Sequence, residues 1–388
     1  MVSVDEHAAL IRSLVNIERT TEVVKLSEAV DRVTALPVLS PVDLPLFRNS
    51  QMDGFAVVTT DLPGILPIVG EVAARPGVPA PLEPGTTVRI MTGAPIPEGA
   101  DAVVPVEQTL IETDLAGFAT QRMPGEFVRE QGSDLRAGEQ LLPASTRLAS
   151  RHLAVLAAAG LATVEVFARV RVAVITTGAE LVEVGAATQP GQIFDANAVA
   201  LAAAVRAAGG SVSFSARVTD DVDAMSEALR GAVASADLVV TSGGISMGDH
   251  EVVRETLEPL GADVASISMQ PGGPQATAVV DGVPVICFPG NPVSTQVSFE
   301  IFLAPVLREL AGLPAARRET RTLVGDAKSV EGKRQFLRGR AVAGDSVEVV
   351  GGASSHLVAG LAASDLLIDI PAETTTLDAG ESVETIAL

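Results

Sequence analysis

Val170-Arg171-Val172-Ala173-Val174-Ile175-Thr176-Thr177-Gly178 opens the stretch that decides the fold, which runs from Arg169 to Arg308. An apolar run of this length, stopped by small residues, fits a strand buried on both faces of a parallel sheet. Next come a Pro/Gly connection, Asp195-Ala196-Asn197, and an Ala/Val/Leu segment to Ala208 closed by Gly209-Gly210, which predicts a helix with a polar start and a glycine stop. The pattern repeats with a strand over Val212 to Val218, a helix from about Val222 to Ala234 and a strand over Leu238 to Thr241. That strand runs into Ser242-Gly243-Gly244-Ile245-Ser246-Met247-Gly248-Asp249. Strand, glycine-rich loop, helix is the order that sets backbone N–H groups and a helix N-terminus in front of an anion. A tight turn without a ligand leaves the same trace, because the spacing is neither a P-loop nor a dinucleotide fingerprint.

Further on, Met269-Gln270-Pro271-Gly272-Gly273-Pro274 interrupts two strand-like runs. Val283 to Phe288 then leads into Pro289-Gly290-Asn291-Pro292-Val293-Ser294 and a final helix to about Leu310. Pro/Gly loops at the carboxyl ends of strands, beside a Ser/Gly loop, describe the mouth of an open α/β sheet, where ligands bind by topology.

Outside this unit, 388 residues exceed what one compact core supports and predict two or more domains. With 48 acidic against 27 basic residues the net charge is −21, which argues against a broad nucleic-acid surface. The chain has no Trp or Tyr, so it also lacks the stacking platform of a single-strand binder. The single cysteine, Cys287, sits in an apolar run and reads as a small core residue. The four histidines show no metal-ligand spacing. No run is long enough to span a membrane and no targeting segment opens the chain, so the expectation is a cytoplasmic protein.

At the N-terminus, Ser3 and Glu6 form a capping-box pattern, and Leu10, Ile11, Leu14 and Val15 fall on one helical face that must dock on something. Ser27 to Val33 reads as a second short helix before an extended connector rich in proline. From Asp43 to about Arg136, short β-like runs are cut by Gly and Pro every few residues, as in a small β-rich domain. Its loop-like clusters, around Asp53-Gly54, Thr92-Gly93, Arg129 and Asp134, are ordinary turn chemistry by themselves. Ser150 to Ala159 predicts a helix and Ala162 to Phe167 a strand. After Leu313-Pro314 the chain alternates as strands around glycines, a compact β-barrel or sandwich.

Taken together, Asn-Ser-x-Met-Asp-Gly-Phe-Ala at 49–56, Met-Thr-Gly-Ala-Pro at 91–95, Gly-Ala-Asp-Ala-Val-Val at 99–104, Thr-Gly-x-Glu-Leu at 177–181, Ser-Gly-Gly-Ile-Ser-Met-Gly-Asp at 242–249 and Pro-Gly-Asn-Pro-Val-Ser at 289–294 resemble, in the same order, the MoeA family of molybdopterin molybdenumtransferases, homologous to the E domain of gephyrin. The resemblance runs nearly end to end. It implies a multidomain α/β protein: a MogA-like three-layer α/β domain (1–20 and 169–318), an elongated linking domain (21–41 and 137–168), a small β-rich domain (42–136) and a C-terminal β-barrel-like domain (319–388). It also implies a homodimer whose cleft is completed by the partner's small domain.

The implied reaction inserts molybdate into adenylylated molybdopterin and releases AMP, with magnesium as the divalent cation. By matching motif, Ser242, Gly243, Gly244 and Ser246 would hold the pterin phosphate region. Glu180, Asp220 and Glu251 would sit by the metal and the cleaved diphosphate, Pro289 and Pro292 would shape the molybdate pocket, and Asp53, Thr92, Arg129 and Asp134 would reach in from the partner.

The chain also departs from the family pattern. Lys-Pro-Gly-Lys-Pro is here Gln270-Pro271-Gly272-Gly273-Pro274, Thr-Gly-Asp-Glu-Leu has Ala179 for its aspartate, and Gly-Glu-Asp is Gly132-Ser133-Asp134. A thinned charge set keeps a second class of function in view, a gephyrin-like dimeric scaffold binding a peptide of a membrane receptor or cytoskeletal protein. Such a scaffold would need exposed apolar groups, for which Phe336, Leu337, Leu357, Val358 and Leu361 are the candidates.

Overall fold

A computed structural model of the chain describes residues 1–245 and 251–388. Two compact units are present, one made of 1–22 with 167–388 and the other of 23–166.

In the first unit, helix α1 (Val4–Leu14) begins with the expected capping box, in which Ser3 and Glu6 satisfy each other's backbone N–H groups. Its buried face is Val4, His7 and Ile11, continued by Val15, while Leu10 and Leu14 are only half-buried. The central sheet follows with β1 (Arg171–Thr177), α2 (Ala196–Ala207), β2 (Ser211–Val218), α3 (Val222–Ser235), β3 (Leu238–Ser242), α4 (Val252–Leu257), β4 (Asp263–Ser266), β5 (Met269–Gln270), β6 (Pro274–Val280) and β7 (Val283–Phe288). Its order is β2-β1-β3-β7-β6-β4, parallel from β2 to β7 and antiparallel at β6 and β4.

The sequence of β1 explains why this sheet is covered on both sides. Successive strand residues point to opposite faces. Val172 and Val174 accordingly enter the core shared with α1, α2 and the helices after β7, while Ala173 and Ile175 enter the core under α3 and α4. The single helix expected to end near Leu310 is continuous but composite. It comprises α5 (Pro292–Ser298), a π-helical turn over Phe299–Leu303, and α6 (Ala304–Leu310), with Pro305 unable to donate into a regular α-helical ladder.

The C-terminal strands β8 (Arg318–Val324), β9 (Arg334–Val342), β10 (Ser346–Val349), β11 (Leu366–Ile370) and β12 (Ser382–Ala387) pair in the ring β9-β10-β8-β12-β11-β9. Closure removes the edges that would otherwise template aggregation. Leu323, Leu337, Val347, Leu366 and Ile368 fill the interior. β5 adds to β9 in parallel, pairing Met269 with Arg334 and Gln270 with Gln335, which fastens the loop after β5 to the barrel.

The second unit carries a six-stranded sheet ordered Ala102–Pro105, Gly54–Val57, Thr87–Ile90, Gly64–Val72, Leu115–Phe118 and Thr109–Glu112. Phe55, Val57, Leu66, Val104 and Phe118 pack one of its cores. A separate core joins Val24 and Ala29 to Leu142, Leu148, Leu156, Val164 and Val166. The helix expected over Ser27 to Val33 is only a 3₁₀ turn, Leu26–Glu28. Asp31 lies at φ +63, outside the helical region, and Val33 instead bridges to Arg147. Among the described residues no helix is long and apolar enough to cross a membrane.

Candidate functional site

The chain leaves β1 outward to β2 and then returns to the other side of β1 as β3, so the topological switch point lies at the carboxyl ends of β1 and β3. A cavity of about 780 Å³ opens there, within the first unit. Its walls come from three strand-end loops, Thr177–Glu180, Ser242–Gly244 and Pro289–Pro292, together with the Gln270–Pro274 loop and the start of α2.

Close backbone approach shapes this wall. Gly243 has φ +97, and a Cβ on it would stand 2.7 Å from the Thr177 carbonyl oxygen. On its other side, a Cβ on Gly290 would stand 3.3 Å from the Gly243 Cα. Only glycine allows these loops to meet, which is the reason for glycine at 243.

Asn197 ties the loops together. Its Nδ2 donates to Ser242 Oγ at 2.9 Å and to the Gly290 carbonyl at 2.7 Å, while its Oδ1 is buried without a partner among the described residues. Thr177 Oγ1 is likewise buried and has no partner among the described residues. Both residues line the cavity, so each holds unspent hydrogen-bonding capacity beside it. The role of Asn197 was not visible in the sequence, where it marked a helix start. The signal available was an asparagine, a poor helix former, inside the first turn of an alanine-rich helix. Asp195, beside it, is spent on structure, accepting from Thr176 Oγ1 at 2.5 Å and from the Ala198 N–H at 3.0 Å as the cap of α2.

Of the residues singled out from sequence, Glu180, Asp220, Glu251, Ser242, Gly243, Gly244, Pro289 and Pro292 all line this one cavity. Ser242 is 1% exposed, and its hydroxyl donates to the Pro289 carbonyl at 3.2 Å and lies 3.1 Å from Thr295 Oγ1. That hydroxyl therefore fastens two loops. Asp220 accepts from the Ala179 N–H at 3.2 Å, and the Glu180 carboxylate folds back over Gly178. Among the described residues no three His, Cys, Asp or Glu side chains converge as metal ligands, so Glu180, Asp220 and Glu251 share a cavity without forming a cage. Ser246 lies outside the described residues.

Asp53, Thr92, Arg129 and Asp134 belong to the second unit. There Asp53 Oδ1 accepts from both the N–H and the hydroxyl of Thr92, at 2.6 and 2.8 Å, which holds the Asp53 carboxyl below its usual range. Arg129 Nη1 donates to Asn49 Oδ1 at 3.4 Å, and Arg129 and Asp134 share a second cavity of about 500 Å³. Cys287 is fully buried, its thiol pushed up to about 12 by burial, which suits packing and not nucleophilic chemistry. Of the apolar residues that a scaffold would expose, Phe336 and Leu337 are core at 2% and 3% exposure, while Leu357 and Val358 are exposed.

Three family models match consecutive blocks of the chain: the MoeA N-terminal region (domain I and II) over 2–160, a probable molybdopterin binding domain over 173–309, and the MoeA C-terminal region (domain IV) over 321–388. The chain is 39% identical over 403 residues to molybdopterin molybdenumtransferase 2 of Mycobacterium tuberculosis, covering 99% of both chains. It is 37% identical to the molybdopterin molybdenumtransferase of Nostoc, covering 100% of this chain and 94% of that one. The crystal structure of the molybdopterin biosynthesis MoeA protein from Pyrococcus horikosii superposes with a TM-score of 0.81 at 30% identity, covering 100% of this chain and 99% of the other. Agreement at this level over the whole length, in fold as well as sequence, makes this chain a member of the MoeA family.

Proposed function

We propose that this chain acts in molybdenum cofactor biosynthesis as a molybdopterin molybdenumtransferase, inserting molybdate into adenylylated molybdopterin with release of AMP. The observation that carries the reading is the cavity at the β1/β3 switch point, where eight of the residues matched by motif converge on one space. In this reading the Gly243–Gly244 backbone receives the pterin's phosphate region, because close approach there is open only to a chain without side chains. Thr177 Oγ1 and Asn197 Oδ1, without partners among the described residues, complete the polar contacts of the bound pterin. Pro289 and Pro292 shape the molybdate pocket.

Magnesium fits this donor set as a shared ion. A few carboxylates in one cavity, with no cage of their own, suit a cation that takes its remaining ligands from water and substrate phosphates. Glu180, Asp220 and Glu251 would hold it, and when bound it would neutralise charge on the diphosphate. We further read the cores as four domains, and Asp53, Thr92, Arg129 and Asp134 as a contribution from the partner's small domain in a homodimer.

The test is purified protein supplied with adenylylated molybdopterin, molybdate and magnesium, following AMP release and molybdenum bound to the pterin. Absence of both products with an authentic substrate refutes the reading. Sedimentation as a monomer at micromolar concentration refutes the dimer.

A further inference from the structure

The six-stranded sheet of the second unit is covered unevenly. On one face Phe55, Val57, Leu66, Ala116 and Phe118 share a core that runs across the sheet. On the other, Ala56, Ile90 and Val103 pack with Leu82 and Val128 over the strands Gly54–Val57, Thr87–Ile90 and Ala102–Pro105. The rest of that second face, made by Gly64–Val72, Leu115–Phe118 and Thr109–Glu112, is apolar and open: Ile65 is 71% exposed, Val69 59%, Leu110 76% and Leu115 45%. Register brings these side chains together. Ile65 and Leu110 both lie opposite Gly117 on neighbouring strands, and a Cβ on Gly117 would stand 3.5 Å from Leu110 Cβ and 3.9 Å from Ile65 Cγ1. An apolar patch on a folded surface marks a place where something binds.

The same strands end in a free edge. Thr109–Glu112 is the last strand in the order, so its outer side has no strand partner among the described residues. The two-residue turn Thr113-Asp114 joins it to Leu115–Phe118, with Glu112 opposite Leu115 and Thr113 at φ +51. In such a hairpin the closing pair exchanges hydrogen bonds and so does every second pair before it. Glu112 and Leu110 therefore bond inwards, and the N–H and C=O of Ile111 face the free edge. The guards that commonly blunt an edge, a lysine, a proline or a bulge, are missing from Thr109–Glu112.

Charge here has one sign. The stretches 49–74 and 90–121 contain no Lys or Arg, while Glu107, Glu112 and Asp114 stand exposed along the edge and its turn. None of the three has an ion-pair partner among the described residues. Arg122, which donates to Gln108, is engaged by Glu126. A second copy of this chain would bring the same carboxylates to the same edge, so charge disfavours self-pairing.

We propose that this edge and its apolar face dock an extended basic segment of another protein. The segment adds as a further strand beside Thr109–Glu112, sets apolar side chains against Leu110 and Ile65, and places lysines or arginines beside Glu107, Glu112 and Asp114. Main-chain bonds to Ile111 supply register and the carboxylates supply the choice of partner. The surface shares no residue with the switch-point cavity or with Asp53, Thr92, Arg129 and Asp134, so it stands independently of the proposed function.

The experiment titrates the full-length protein with a short capped peptide of alternating valine and threonine flanked by lysine pairs, and with the same peptide carrying glutamate for lysine, at low and high ionic strength. The lysine peptide should bind, more weakly as salt rises, and the glutamate peptide should not. Leu110→Ser should lose about tenfold in affinity and Ile111→Pro about fivefold or more. Because the Leu110 side chain is mostly exposed, the thermal melt of Leu110→Ser should superpose on that of wild type. A backbone N-methylated lysine peptide, which cannot donate to the edge, tests strand addition without altering the protein, and its binding should be lost.

Equal binding of the lysine and glutamate peptides overturns the proposal, as does binding of neither. Affinity unchanged in Leu110→Ser, or undiminished by N-methylation, also overturns it. Self-association of the wild type that Leu110→Ser abolishes, with no peptide bound, makes a second copy the occupant and overturns the basic partner.

Discussion

Replacing Gly243 with alanine tests whether backbone approach builds the cavity. At φ +97 any side chain is strained, at about 1–2 kcal/mol. The added Cβ also meets the Thr177 carbonyl oxygen at 2.7 Å and Thr177 Oγ1 at 2.8 Å. These atoms sit at the end of β1, which is paired on both sides, so they cannot move aside cheaply and overpacking adds about 1–3 kcal/mol. Gly282→Ala is the matched control. Gly282 has φ +81 in the turn between β6 and β7, with nothing within 4 Å of its would-be Cβ, so it carries the dihedral term without the collision. The entropy that alanine removes from the unfolded chain is common to both and cancels. For a unit of this size, a difference of about 1–3 kcal/mol lowers Tm by roughly 2–12 °C more in Gly243→Ala than in Gly282→Ala. Calorimetry of both variants, with molybdopterin binding measured in parallel, reads the effect. Equal Tm losses, or a destabilised Gly243→Ala that binds pterin as wild type does, would refute the claim that this close approach forms the ligand wall.

The His7 ring is buried against Phe302 without a hydrogen-bond partner among the described residues, and burial, partly opposed by the Asp263 carboxylate, lowers its pKa from 6.5 to about 4. Its folded value lies below its unfolded value, so the neutral ring's contribution is present above pH 6.5 and is lost as pH falls towards 4, by about 3 kcal/mol. Urea titrations across that window should show the slope in wild type and a flatter profile in His7→Leu. Arg334→Met leaves the buried Asp369, among the described residues, with Arg318 at 3.3 Å as its one cation and should destabilise by about 2–4 kcal/mol, whereas Arg340→Met breaks an exposed pair with Glu348 and should cost under about 1 kcal/mol in the same denaturation assay. Gly273→Lys keeps the Gln270–Gln335 bond and adds a cation to the bare loop, so molybdate affinity should rise by roughly tenfold. An unchanged titration would place the oxyanion away from this loop.

Local sequence was decisive wherever one residue type answers one local demand. The apolar run at Val172–Ile175 and the glycines after Ser242 specify a doubly covered strand and a close turn whatever lies elsewhere, because side-chain period and backbone sterics are properties of the residues themselves. The cap at Ser3 and the strand from Val283 to Phe288 were legible for the same reason. Ser27 to Val33 reads as a helix by itself, but its short apolar pattern carries too little helical periodicity to outweigh the bridge of Val33 to Arg147. In the site, motif order pointed to the carboxylates and the glycine loop. Spacing gave no indication that the Ser242 hydroxyl would be spent on Pro289 and Thr295, or that Asn197 would bridge two loops with one acceptor left over. Nor did it show that Lys333, in the turn before β9 and 60 residues beyond Gly273, would line the same space. Those facts follow from how β5 pairs with β9 and how the loops after β3 and β7 meet. Long-range pairings are set by the joint packing of many distant segments, and no short window of sequence encodes them.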